Sequence, residues 1–155
     1  MKIDISDGIK LTVDYSKTVE QAIADCKCDL NSRDIIIKNF PISPEMIGNK
    51  ADITNRLFHF NRHIRSERIS SENIIEEMDS WFCRPATLME LLALGATHPE
   101  LQREFRVVAL GSIWRDSRGI CLVPFLGVHG VMRKSYLNPF DCDWDAGFRF
   151  LGIRK

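Results

Sequence analysis

Apolar positions recur along the chain with two different periods, and the switches between them mark out the elements. Ile9-Lys-Leu-Thr-Val-Asp-Tyr15 alternates apolar with polar, the period of a strand with one buried face. Thr18 then stands as a helix N-cap with Gln21 three positions on, a capping box, and Val19, Ala22, Ile23 and Cys26 follow at helical spacing. A short amphipathic helix is predicted over 19–28, ended by Asp29 to Asn31. Ile35-Ile-Ile37 is β-branched throughout and predicts a strand, broken by Phe40-Pro-Ile-Ser-Pro44, where proline restricts itself and its predecessor. Arg56-Leu-Phe-His-Phe-Asn61 is the next predicted strand.

Two helices with clear starts come next. Ser70 is placed to cap, Ile69 to staple onto Ile74, and Ile74, Ile75, Met78 and Trp81 form an apolar face, predicting a helix over 71–80. Its carboxylates Glu72, Glu76, Glu77 and Asp79 read as a solvated face. Thr87 and Glu90 make a second capping box, opening a helix that buries Leu88, Leu91, Leu92 and Leu94. Gly95 is either its stop or a point of close packing. A short helix is predicted over 98–105, with Pro99 in its first turn.

The last third returns to strands. Val107-Val-Ala-Leu110 and Ile120-Cys-Leu-Val123 read as buried strands joined through the turn Arg115-Asp-Ser-Arg-Gly119. Val131 to Leu137 alternates imperfectly, and Phe148 to Ile153 closes the sheet. The fold class that follows is α+β: two main helices packed on a mostly antiparallel twisted sheet, with an N-terminal β/α extension. The expected organisation is a single domain over 1–155, made of an N-terminal β/α segment (1–66), a helical segment (67–105) and a C-terminal sheet (106–155).

Composition narrows the function. The 155 residues are enough for one domain with a real core. Lys plus Arg balances Asp plus Glu, so the field of a protein gripping many phosphates is absent and no nucleic-acid partner is expected. No apolar run approaches the roughly 20 residues that span a bilayer, and the start Met1-Lys-Ile-Asp-Ile-Ser-Asp7 lacks the apolar core of a signal peptide. No membrane partner and a cytoplasmic location are expected. Five cysteines at irregular spacing make a poor disulfide framework, and Cys26-x-Cys28 is tighter than the usual metal spacing.

Between its apolar ends the last third mixes polar, aromatic and small residues in a way a core segment does not need. It is expected to be a displayed binding surface, with contact residues Arg115, Asp116, Arg118, His129, Arg133, Tyr136, Asn138, Asp141, Asp143, Trp144 and Asp145. Tyrosine, tryptophan and arginine join a large contact area to a polar tip and so anchor interfaces. Trp114 and Phe140 are assigned to the core. Asp141, Asp143 and Asp145 resemble the start of a calcium loop, but Ala146 holds the glycine position and Gly152 the place of the closing glutamate, so no metal is assigned. His59 and His63 stand four apart on a predicted strand, where they sit too far apart to share an ion. No nucleophilic triad, phosphate loop or dinucleotide fingerprint is present, and no cofactor is expected. The expectation is a non-enzyme with an unknown protein ligand. An enzyme using Cys142, Asp143 and His129, or a structural or regulatory interaction domain, remains as an alternative.

One resemblance adds to this reading. Arg84-Pro-Ala-Thr-x-x-Glu-Leu-Leu92 resembles the Arg-Leu-Pro-Thr-x-x-Glu helix entry of C-type-lectin-like domains related to formylglycine-generating enzyme. Gly111-Ser-Ile-Trp114 and the closing Phe148-Arg-Phe-Leu-Gly-Ile-Arg154 follow in the family's order, and the likeness covers roughly 70–155. Arg84 is followed directly by Pro85, a departure from the family wording. The resemblance implies the lectin-like fold. Within that group the chain looks most like variable proteins of diversity-generating retroelements, which display a changeable surface near the carboxyl terminus. Diversification at the adenines of Asn-type codons cannot produce Glu, Gln, Lys, Met or Trp, and all nine Glu and both Gln lie at or before Glu104. Thr is absent after Thr97 although it would be permitted, and strands themselves disfavour Glu and Gln. Chemistry like that of formylglycine-generating enzyme is not implied, because Cys121 and Cys142 lack that family's spacing.

Overall fold

The structure is a computed structural model that describes residues 2–61 and 68–155. It opens with β1 (Lys2–Ile5), β2 (Ile9–Asp14) and α1 (Val19–Cys26), and an irregular stretch leads to β3 (Lys50–Asn61). The middle holds β4 (Ile69–Ser70), α2 (Ser71–Ser80), β5 (Cys83–Pro85), α3 (Leu88–Thr97) and α4 (Leu101–Glu104). The last third is β6 (Arg106–Val108), β7 (Trp114–Arg115), β8 (Cys121–His129), β9 (Met132–Pro139), β10 (Asp143–Trp144) and β11 (Phe148–Arg154). No helix among the described residues is long and apolar enough to cross a membrane.

The architecture is α+β, built on a mostly antiparallel sheet. Among the described residues nine strands join in one sheet, with the path β1-β3-β11-β6-β8-β7 and with β2 on β3, β5 on β11 and β9 on β8. The 12-residue β3 is long enough to pair β2 along its first half and β1 along its second, while β11 takes its other edge at Asn55 to Phe58. β11 and β6 run parallel; β6 with β8 and β8 with β9 are antiparallel. The N-terminal segment is therefore part of the central sheet, not an extension beside it.

Strand alternation splits the core into two layers. Leu57, Val107, Leu126, Leu151 and Ile153 face an aliphatic layer with α1, α3 and β2. Phe58, Phe60, Val108, Phe125, Phe148 and Phe150 face the opposite layer, where α2 supplies Ile74 and Met78. The two main helices thus lie on opposite faces of the sheet. Among the described residues only one 10-residue helix covers the second face, where large aromatics pack with it. Gly152 is bare because a Cβ there would stand 2.7 Å from the Phe58 ring.

Local chemistry accounts for the helix boundaries. The Thr18–Gln21 capping box forms, with the Gln21 amide nitrogen donating to Thr18 Oγ1 at 3.1 Å and the Thr18 amide to Gln21 Oε1 at 2.8 Å. Ser70 caps α2 through the Asn73 amide, and Ser112 Oγ accepts from the Leu88 amide at the start of α3. Gly95 does not stop α3, which runs on to Thr97. Its missing side chain instead admits Cys26 and Leu126, whose atoms would lie 2.5 and 2.7 Å from a Cβ. The short helix expected over 98–105 is reduced to α4. Trp81, placed on the apolar face of α2 by spacing, lies past the helix end and is exposed.

Residues 35–37 do not form a strand. Ile35 is buried, Ile37 is exposed, and the stretch is a series of turns such as Phe40 N–H to Ile36 O. Three consecutive β-branched residues carry no alternation, so they specify no strand face. Residues 30–32 run beside the edge of β9 instead. Leu30 N–H donates to Arg133 O, Ser135 N–H to Leu30 O and Ser32 N–H to Ser135 O, which covers an otherwise open strand edge.

Candidate functional site

Two of the expected contact residues are interior. Arg133 is 5% exposed, and its guanidinium donates to Cys26 O (2.8 Å), Lys27 O (3.1 Å), Gly95 O (3.0 Å) and Gln102 Oε1 (2.8 Å). These acceptors include the carbonyl ends of α1 and α3, where the helix dipoles carry negative charge. The Arg133 amide also donates to Asp29 Oδ2 at 2.8 Å. Arg133 is a clamp between β9 and two helices, not a ligand contact. Trp144 is 1% exposed, set edge-on to Phe148 and Phe150, with Nε1 donating to Ser71 Oγ at 2.8 Å. It is interior because residues 140–146 fold back over the second sheet face, where β10 pairs with β4 beside the start of α2.

The other expected contacts do not form one patch. Arg115 ends β7 and Asp116 and Arg118 belong to the turn after it, at the Cys121 end of β8, whereas His129 is exposed at the other end. At 3.3 Å per residue those ends are about 26 Å apart. Asp116 organises its own turn. Its carboxylate accepts from the Arg118 and Ile120 amides at 2.9 and 3.0 Å and pairs with the Arg118 guanidinium at 2.7 Å. Those hydrogen bonds, led by the one from the Arg118 side chain, hold the Asp116 carboxyl below its ordinary value against burial. Asp141, just before β10, and Asp143, its first residue, are exposed. Asp145 Oδ1 turns instead to the Gly147 amide (2.7 Å) and Arg106 (3.3 Å). Trp114 and Phe140, assigned to the core, are both half-buried against it. His59 sits on β3 as expected, and His63 lies outside the described residues.

A smaller group does come together. Along β9, Arg133, Ser135 and Leu137 face the helices, so Lys134, Tyr136 and Asn138 face the other way. Tyr136 stacks on Phe125 with ring centroids 4.7 Å apart and an interplanar angle of 6°, and its hydroxyl donates to Val128 O at 2.8 Å. Lys134 Nζ lies 4.7 Å from the Tyr136 ring centre, and the Arg106 guanidinium carbon lies 3.9 Å from that of Phe148. The two cation–ring pairs meet at Gly127, where a Cβ would be 3.1 Å from Arg106 Cγ and 3.5 Å from Tyr136. Lys134, Tyr136 and Arg106, all on strands, and Asp145, in the turn before β11, therefore make a continuous strip of aromatic and charged groups. Of the expected contacts it keeps Tyr136 and Asp145, with Asn138 next along β9. Lys134, Arg106 and Gly127 were missed, although the period of two counted from Tyr136 selects Lys134 and excludes Arg133.

Glu90, in the first turn of α3, has a further use. Glu90 is fully buried and accepts from the Thr87 amide (2.8 Å), Arg84 (2.8 and 2.6 Å) and the Tyr15 hydroxyl (2.5 Å). Burial opposes its charge, but the Arg84 guanidinium, the Tyr15 hydroxyl and the Thr87 amide together hold its carboxyl below the ordinary value. The Arg84 to Glu90 motif thus ties β5, α3 and the end of β2 together. Cys142, Asp143 and His129 do not assemble, since Cys142 lies by Asn138, opposite Val123, far along β8 from His129. Burial pushes the Cys142 thiol up; the Asn138 amide opposes this, and Asp143 and Asp141 add to it. Among the described residues, no three His, Cys, Asp or Glu side chains form a metal-binding group. No protein-family model matches the chain, and no curated protein or solved structure matches it either.

Proposed function

We propose that this chain is a non-enzymatic, C-type-lectin-like binding protein that presents the strip Lys134, Tyr136, Arg106 and Asp145 to a protein partner, on a surface of the kind that retroelements diversify. The observation that carries the reading is the pairing of each cation with a strand-held ring around a bare glycine. Such side chains have lost much of their rotamer freedom before any partner arrives, which lowers the ordering cost of binding. They also combine apolar area with charge, the chemistry of interface anchors. The α+β order of the chain, with helices ahead of the last strands, supports the lectin-like assignment.

A photo-crosslinking amino acid placed at Lys134, and separately at Arg118, tests the binding surface in the native host. One partner captured from position 134 but not 118, and lost when Tyr136→Ala and Arg106→Ala are combined, is the expected result. Equal capture from both positions, or capture that survives the double substitution, refutes the strip. Sequencing the same locus in sibling genomes tests diversification: changes should fall at 136 and 138 and spare 133 and 135. Changes spread evenly over both sets reject it.

A further inference from the structure

Cys26 and Cys28 lie on either side of Lys27, whose φ of 55° turns the chain back at the end of α1. That turn brings the two Sγ atoms to 3.7 Å. Around the pair the protein places two donors: Gln102 Nε2 is 3.7 Å from Cys28 Sγ, and the Arg133 guanidinium is 3.8 Å from Cys26 Sγ. Cys26 is 2% exposed and Cys28 is half-buried, so a reagent from solvent meets Cys28 first. A cleft of about 390 Å³, walled by Lys27, Asp29, Arg103 and Arg133, opens at Cys26.

We propose that Cys26 and Cys28 form a redox-active dithiol that exchanges with small disulfides. The electrostatics agree with the geometry. The Cys26 thiol donating to Cys28 holds Cys28 well below the ordinary thiol value, against burial and with help from Gln102 and Arg133; Asp29 opposes. Cys26 is raised by the same hydrogen bond and by burial. The other charges on the cleft, Asp25, Lys27, Glu100 and Arg103, are of mixed sign.

The Cys28 thiolate attacks one sulfur of a disulfide RSSR, an S–S bond breaks, and RS⁻ leaves, giving a mixed disulfide. With the Cys28 charge gone, Cys26 gives its proton to RS⁻ and attacks Cys28 Sγ. A Cys26–Cys28 bond forms and a second RS⁻ departs. Two electrons pass from the dithiol to RSSR.

The test is to incubate the folded full chain with oxidised and reduced glutathione, quench in acid, alkylate and map the peptides. Oxidation is expected to link Cys26 to Cys28 ahead of the remaining cysteines, reversibly with dithiothreitol. Cys26→Ser is expected to stall as a glutathione mixed disulfide on Cys28. In the unoxidised protein at pH 7, iodoacetamide is expected to label Cys28 at least about tenfold faster than Cys142, because the thiolate reacts and its fraction follows the thiol's acidity. Labelling at equal rates, a stable mixed disulfide in the wild-type chain, or linkage of other cysteines overturns the proposal. The wild-type measurements stand whether or not a variant folds.

Discussion

Replacing Arg133 with methionine separates a clamp from a contact residue. Methionine keeps an apolar stem of similar reach and removes the guanidinium. Left behind would be the Cys26, Lys27 and Gly95 carbonyls and the Gln102 amide oxygen, all of which accept from it. A buried acceptor without a partner costs about 1–3 kcal/mol, though such terms are not additive and water relieves some of them. The acceptors left behind are all neutral, so the loss expected for the set as a whole is about 3 kcal/mol. It is a large part of the roughly 5–15 kcal/mol that holds a typical domain together. Arg133→Lys keeps the charge but offers one ammonium where a planar fork bridged two helices, so a loss of about 2 kcal/mol is expected. Urea unfolding followed by tryptophan fluorescence measures both, with wild-type slope as the sign that the same transition is being compared. If Arg133→Met unfolds within about 0.5 kcal/mol of wild type, the range of ordinary surface changes, the clamp is refuted.

Two further predictions rest on other buried polar groups. Because the Glu90 carboxyl is held below its ordinary value of 4.5, its contribution is present above the unfolded value and is lost as pH falls through the lower, folded value. Glu90→Gln should therefore lower stability at pH 7 and flatten the acid limb of a Tm-against-pH curve below about pH 4.5; an unchanged acid limb would remove Glu90 as its source. Asn55 on β3 is fully buried, and neither side-chain polar atom has a hydrogen-bond partner among the described residues. Its strand neighbours are Ile9 and Ile153, so Asn55→Leu should raise stability by about 1–3 kcal/mol in urea unfolding, and a fall of that size would mean that the amide is satisfied.

The elements legible in the sequence are those whose local signals agree with each other. Ser70, Ile69 and the Ile74–Met78 spacing fix α2 to the residue, and the alternation of Ile9 to Tyr15 fixes β2. Residues 35–37 failed because propensity without alternation names no face. Trp144 failed for a different reason: a tryptophan among aspartates looks displayed, and only its tertiary packing against Phe148 and Phe150 on the second sheet face turns it inward. Arg133 was read by residue type when strand period already opposed it to Tyr136. The contacts that define the strip are long-range, since Arg106 on β6 meets Tyr136 on β9 across β8. Spacing in the sequence carries no record of such a meeting.

These failures point to how β9 is built. Its inward residues are committed: Arg133 to two helix ends, Ser135 to Asn31 and the 30–32 segment, Leu137 to the aliphatic layer. Its outward residues are held by stacking and by one hydroxyl contact to Val128, interactions that other side chains can replace at small cost. A strand anchored on one side by a buried cation tolerates exchange on the other without losing register, because register depends on the inward set. The same cation lies beside Cys26 and Cys28. Oxidation of that pair removes a charge that Arg133 helps to stabilise, so the hairpin's anchor and the dithiol are coupled through one guanidinium, and Arg133→Met should weaken both together.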